Sequence, residues 1–177
     1  MMVGKLLVAQ PSLLGDPSFG RGVVLITEQH ESGSMGFVIN QPTQYSINDL
    51  IPELQLEAPI FQGGPVDQDR LFYIHTSNTI PNAKALGNDL FWGGELSDIE
   101  AALKSGRLAH NEVIFLIGYA GWGKEQLEQE CKEHSWLLVK NKYDIFSDTA
   151  NLWSSILREL GGDLAFYALA PSHPALN

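Results

Sequence analysis

Residues 118–124, Gly-Tyr-Ala-Gly-Trp-Gly-Lys, reproduce the G-x-x-x-x-G-K spacing of a phosphate-binding loop and follow an apolar run at 113–117. In such a loop backbone N–H groups cradle phosphates, the lysine pairs with their oxygens, and a following Ser or Thr holds magnesium. Here the following residue is Glu125, which lacks the hydroxyl and sets a negative charge beside the phosphates. Trp122 is bulky for a wrapping loop. The apolar runs VIFLIG, WLLVK and LAFYALA do not lead into the aspartate that would bind the metal ion. The pattern therefore reads as a tight strand-to-helix turn with Trp122 as a packing anchor.

Other reactive residues are sparse. Cys131 has His134 three residues on, so the two could share a helix face, but Glu128, Glu130 and Glu133 surround it. Negative neighbours raise a thiol's pKa, which favours a quiet structural cysteine. His30, His75, His110, His134 and His173 show neither H-x-x-x-H nor H-E-x-x-H spacing, and no G-x-S-x-G elbow is present. Convergence of histidines with Asp16 or Glu28 has no support from spacing. His75, closing the strand-like "FYIHTS", is the most site-like of the five, with a hydrogen-bonded strand-end histidine as the default. No metal and no cofactor are expected.

These residues need a scaffold. "KLLVAQ" (5–10) reads as a strand, and "GVVLITE" (22–28) with "MGFVIN" (35–40) as a hairpin. "SINDLIPEL" (46–54) is a short helix with Ser46 as N-cap and Pro52 as its limit. "APIFQ" (58–62) and "RLFYIHT" (70–76) are strands, and 84–92 is a short strand or an extended loop. A helix starts at Ser97 and stops at Gly106, and 112–118 is a central strand. The segments 124–134 and 148–160 are helices, 135–140 a strand, and "DLAFYAL" (163–169) a final strand. "IFQGGPVDQD" and "LFWGGELSDI" echo one another, and both read as strand exits where glycine supplies unusual dihedrals. No linker or low-complexity tract divides residues 1–177, so the expectation is one α/β domain of mixed α and β composition.

Bulk properties narrow the function. The 177 residues are 44% apolar and 18% charged, as in an ordered globular chain. No apolar run reaches the ~18 residues needed to span a bilayer, and the N-terminal stretch reads as a strand rather than a secretion leader. One cysteine excludes an intrachain disulfide framework, so a cytoplasmic location is expected. The formal net charge is −10, and the densest basic segment is "KNK" at 140–142. Nucleic-acid affinity comes from cationic contacts to phosphates, so direct binding of nucleic acid is disfavoured.

What remains is a set of turns rich in Gly, Pro, Asn and aromatic residues: "GDPSFGRG", "INQPT", "QGGPV", "GYAGWG" and "PALN". Turns at strand ends gather ligand sites in α/β proteins, or they are turn chemistry alone. Taken in order with "LLVAQPSLLGDPSFGRGVVLI", "GSMGFVINQPT", "FQGGPVDQDRLFYIHT", "QLEQE" and "WLLVK", they resemble the bacterial YqgE/AlgH family end to end. Relatives usually carry glycine where Glu125 stands. The resemblance implies a mixed, strongly bent sheet flanked by helices, a transcriptional-regulator label that rests on genetic association, and no established activity. Its signature maps onto Asp16, Pro17, Arg21, Asn40, Pro42, Gly63, Gly64, Pro65, Val66, His75, Gly118, Gly121, Trp122 and Glu128, which form a candidate binding surface.

The expectation is a non-catalytic cytoplasmic domain, of ligand-binding, protein-binding or regulatory type, with a groove lined by "INQP", "GGPV" and "GYAGW" for a small ligand or a peptide. The alternative is a small hydrolase using His75 or Asp16. Oligomeric state is not legible in the sequence.

Overall fold

Strand β9, Val113–Gly123, organises the molecule. The structure, a computed structural model, describes residues 2–54, 56–147 and 149–169. Ile114 and Leu116 of β9 enter one apolar core, and Val113 and Phe115 enter a second. Both faces are thus buried, which is why 113–117 is a continuous apolar run rather than an alternating one.

The first core lies among β1 (Leu6–Ala9), β2 (Val23–His30), β3 (Gly33–Val38) and helix α4 (Thr149–Leu160), whose Leu152, Trp153, Ile156 and Leu157 are buried. The second gathers Ile47 of α1 (Ile47–Leu50), Ile60 of β5 (Pro59–Gln62), and Ile99 and Ala102 of α2 (Leu96–Lys104). With β4 (Pro42–Ser46), β6 (Val66–His75), β7 (Lys84–Gly87), β8 (Leu90–Trp92) and β10 (Trp136–Val139), the strands form one open ten-stranded sheet. Its order is β10-β1-β2-β3-β9-β6-β8-β7, with β5 on β9 and β4 on β5. Among the described strands only the β5–β9 pair is parallel. Five α-helices among the described residues flank the sheet, α3 being Gln126–Lys132 and α5 Gly162–Tyr167. The fold is a mixed α+β single domain, and no described helix is long and apolar enough to cross a membrane.

One crossing explains two glycine motifs. Phe115 pairs with Ile60 of β5 on one edge and Tyr73 of β6 on the other. The chain therefore passes across β9 within Gly63, Gly64 and Pro65. A Cβ on Gly64 would lie 2.2 Å from the Tyr119 carbonyl, and one on Gly118 2.4 Å from the Gly64 oxygen. Backbone crosses backbone there, with no room for a side chain.

Several sequence expectations need correction. The stretch at 118–123 is not a turn: Ala120–Gly123 continues β9 and pairs with Gly33–Gly36 of β3. The turn is confined to Lys124 and Glu125, and Glu125 takes a left-handed backbone (φ 63°) as N-cap of α3. Residues 163–169 are not a strand. Gly161 and Gly162 reverse the chain at φ 75° and 58°, and α5 follows, with Leu164 and Ala168 meeting the core at helical spacing. β4 went unmarked because Pro42 opens it and it is an edge strand. The uncertain span 84–92 is the β7–β8 hairpin, whose Asn88 and Asp89 both hold positive φ as a tight primed turn requires. α2 starts one residue early, at Leu96 with Glu95 as N-cap, while α1 has the expected Ser46 cap, closed by Asp49. "PALN" lies outside the described residues.

Candidate functional site

The signature residues fall into three places. Around α3, Trp122 is 6% exposed, and its Nε1–H donates to Glu130 Oε2 at 2.9 Å. Trp136 donates to the same oxygen at 2.8 Å, and Gln126 Nε2–H donates to Oε1 at 2.9 Å. Asp16 accepts the N–H groups of Ser18 and Phe19, both at 2.8 Å. That turn places the Phe19 ring 6.3 Å from Trp122 and 5.4 Å from Trp136. Trp122 is the expected packing anchor, but its partner is Glu130. Glu128, two residues earlier and so on a different helix face, is half-exposed and bonds to none of these rings. Burial, then Glu128 and Glu130, push the Cys131 thiol above its ordinary pKa.

The second place is the crossing. Asn40 Oδ1 accepts the Val23 N–H at 2.8 Å, and Asn40 Nδ2–H donates to the Arg21 carbonyl at 2.9 Å. The Arg21 guanidinium lies 4.9 Å over the Trp153 ring. Val38 donates to the Gly63 carbonyl and Gln62 to that of Gln41, both at 2.8 Å, so "INQP" and "GGP" meet through backbone bonds. Pro42 and Pro65 stand exposed at its margins.

His75 is the third. It is fully buried, stacked on Phe91 with centroids 6.1 Å apart, and its Nε2–H donates to the Gly93 carbonyl at 3.2 Å. Burial lowers its pKa, leaving it neutral. It pairs with Val113, roughly 25 Å along β9 from Gly121 at the rise of an extended strand. The signature residues therefore do not converge on one cleft.

A groove does cross the sheet, mostly from residues outside the signature. Its main part encloses about 410 Å³ between Met35 of β3, Phe72 of β6, Trp92 of β8 and Tyr119 of β9, with Glu28, Asp67, Arg70, Tyr73, Lys84 and Glu95 also lining it. A second depression of about 320 Å³ shares Glu28, Met35 and Tyr119 and runs on to Ser34, Gly121 and Trp122. Gly121 and Trp122 are thus the two signature residues that border it. Gly121 opens the floor: a Cβ there would meet only the Tyr119 ring, at 3.4 Å.

The groove's backbone is unusual. Between the pairs Val66–Tyr119 and Leu71–Ile117, β6 bulges away from β9, and the bulge carries Asp67 (φ 49°) and Arg70 to the rim. Asn82, Gly93 and Gly94 also line it with φ between 60° and 92°. Bulges and left-handed residues collect at functional sites, where they re-aim side chains. The Arg70 guanidinium lies 5.2 Å over Phe72, and the Lys84 ammonium 5.2 Å over Trp92. Lys84 also pairs with Glu28, which bonds His30 at 3.2 Å. Burial raises the Glu28 pKa, but Lys84 and His30 together hold it below the usual carboxylate range. Asp67 and Glu95 make no side-chain hydrogen bond or ion pair with any described residue. Among the described residues no group of three or more His, Cys, Asp or Glu could hold a metal ion.

Sequence reasoning placed Tyr119 in the "GYAGW" segment of its expected groove but missed the other walls, because Phe72 read as an ordinary strand residue and Trp92 as the end of a short strand or loop. The available signal was the "FWGG" exit, where an aromatic precedes two glycines.

Comparison with known proteins agrees with this fold. A family model described as AlgH-like matches residues 6–165. A UPF0301 protein of Cytophaga hutchinsonii is 37% identical over 98% of both chains. One from Bacteroides fragilis is 37% identical, covering 98% of this chain and 90% of its own. The solution structure of the AlgH protein from Pseudomonas aeruginosa superposes with a TM-score of 0.71 at 29% identity, covering 97% of this chain and 95% of that one. A crystal structure from Corynebacterium diphtheriae shares the fold, with a TM-score of 0.81 at 22% identity over 96% of this chain and 93% of its own. With the family model spanning residues 6–165 and these relatives aligned over nearly their whole length, the chain belongs to the AlgH-like family.

Proposed function

We propose that this chain is a non-catalytic binding domain of a regulatory kind, and that it holds a segment of a partner protein in the groove across β3, β9, β6 and β8. The observation that carries this is the open, aromatic-walled trough with a bulged, charged rim. The trough continues from its main part into a second depression through the shared Glu28, Met35 and Tyr119, and that continuity suits an extended chain. A cytoplasmic location accords with this reading.

The hydrolase alternative is weakened by His75. It is sealed from solvent, neutral and committed to the Gly93 carbonyl. The Asp16 carboxylate is engaged in its own turn.

The test uses Gly121→Leu, which fills the groove floor at a strand position with room for a side chain. Peptides selected from a random display library against the wild-type chain are expected to bind Gly121→Leu at least ~10-fold more weakly. They are expected to retain affinity for Phe166→Ala, at an exposed apolar residue on α5. Selected peptides that bind Gly121→Leu unchanged would place the binding face elsewhere.

A further inference from the structure

We infer that the segment held in the groove is basic: an extended stretch of a partner protein in which Lys or Arg side chains flank apolar ones. This inference rests on the groove being a binding face and adds the chemistry of its occupant.

Charge complementarity carries it at two scales. Within the groove, Lys84 neutralises Glu28 by direct pairing. The Arg70 guanidinium carbon sits 5.2 Å over the Phe72 ring centroid. That leaves the Asp67 and Glu95 carboxylates uncommitted, so the acids outnumber the cations. Glu95 occupies the N-cap of α2 without a side-chain bond to that helix. Asp67 is carried to the rim by the β6 bulge in a left-handed conformation. Over the whole molecule, eleven Lys and Arg face twenty-one Asp and Glu, a net charge of −10. Such a field draws in cationic partners and repels anionic ones. The walls are suited to the same chemistry, since Phe72 and Trp92 already hold cations against their faces, and Met35 and Tyr119 offer an apolar floor for the aliphatic stems of Lys and Arg.

The experiment uses two end-blocked, fluorescein-labelled peptides of matched pattern, Lys-Leu-Lys-Phe-Arg-Leu and Glu-Leu-Glu-Phe-Glu-Leu, titrated with the full chain and followed by anisotropy. The wild-type chain is expected to bind the basic peptide at least ~10-fold more tightly than the acidic one. The double variant Asp67→Asn/Glu95→Gln should lose ~10-fold in affinity for the basic peptide, asparagine being tolerant of the left-handed backbone at 67. The control Glu53→Gln/Glu57→Gln removes two exposed charges elsewhere and should stay within ~3-fold of wild type. Equal losses in the two double variants would overturn the inference by showing a general field and no groove contact. So would no measurable binding of the basic peptide, or displacement by spermidine at equal concentration, which would mark a bare cation site. If the acidic peptide binds as tightly and Gly121→Leu abolishes it, the groove stands and the basic partner falls. If Gly121→Leu leaves basic-peptide binding unchanged, the groove itself falls.

Discussion

Glu130 shows how one side chain can hold a region together without advertising itself. One carboxylate oxygen receives both indole N–H groups of Trp122 and Trp136, and the other receives Gln126. Glu130→Ala strands two buried donors, each costing about 1–3 kcal/mol, so a total loss of about 2–6 kcal/mol is expected in urea unfolding. Glu130→Gln keeps an acceptor for the indoles and should lose less, and Glu128→Ala should stay within about 0.5 kcal/mol. Equal effects at 128 and 130 would contradict this assignment. In the sequence, Glu128, Glu130 and Glu133 cannot be ranked, because only the register of α3 against β9 and β10 selects among them. Trp122 was legible, since a bulky ring in a glycine-rich stretch requires burial.

His75 makes the residue-scale prediction for pH. Burial lowers its pKa in the folded state, so the unfolded chain binds the proton more readily, starting near its ordinary pKa of about 6.5. The unfolded state then carries more protons, and stability rises with pH through that window. Stability contributed by neutral His75 is therefore full above about pH 6.5 and is lost as the pH falls toward the lowered folded value. His75→Gln should flatten the difference between urea midpoints at about pH 5 and about pH 7.5. An undiminished difference in this variant would assign the dependence to other groups.

At the scale of elements, the decisive feature is the three-residue passage across β9. Gly64→Ala would drive a Cβ to 2.2 Å from the backbone of Tyr119. The cost is expected to exceed about 4 kcal/mol, enough to prevent accumulation of folded protein. Gly15→Ala, with nothing within 4 Å and no positive φ, should leave the melting temperature nearly unchanged. A folded Gly64→Ala variant would mean that the crossing relaxes easily. Strands β1, β2, β3, β5 and β10 and helices α2 to α4 were legible from apolar patterning and caps, and the run at 113–117 announced a strand buried on both faces. The crossing was not, because glycine pairs ordinarily punctuate and only the topology shows a second backbone against them. The reach of β9 to Gly123 was masked for the same reason. The seven residues "DLAFYAL" were too short for apolar content to separate strand from helix.

For the whole molecule, charge and topology bear on one question. An acidic chain argued against nucleic acid from composition alone, and the same charge suits a basic protein partner once the groove is seen. The candidate residues read from the turns lie mostly outside the groove, with Gly121 and Trp122 at its border. The groove depends on which faces of β3, β6, β8 and β9 are brought together, and beyond the "FWGG" exit no local pattern encodes that. The most direct measurement is amide and indole chemical-shift mapping of the ¹⁵N-labelled chain titrated with the blocked Lys-Leu-Lys-Phe-Arg-Leu peptide. The expected result is a contiguous set of perturbations at Glu28, Met35, Arg70, Phe72, Tyr119 and Gly121, together with the Trp92 indole. Perturbations scattered over the acidic surface, or gathered at the exposed α5 residues Phe166 and Tyr167, would contradict the groove as the binding face.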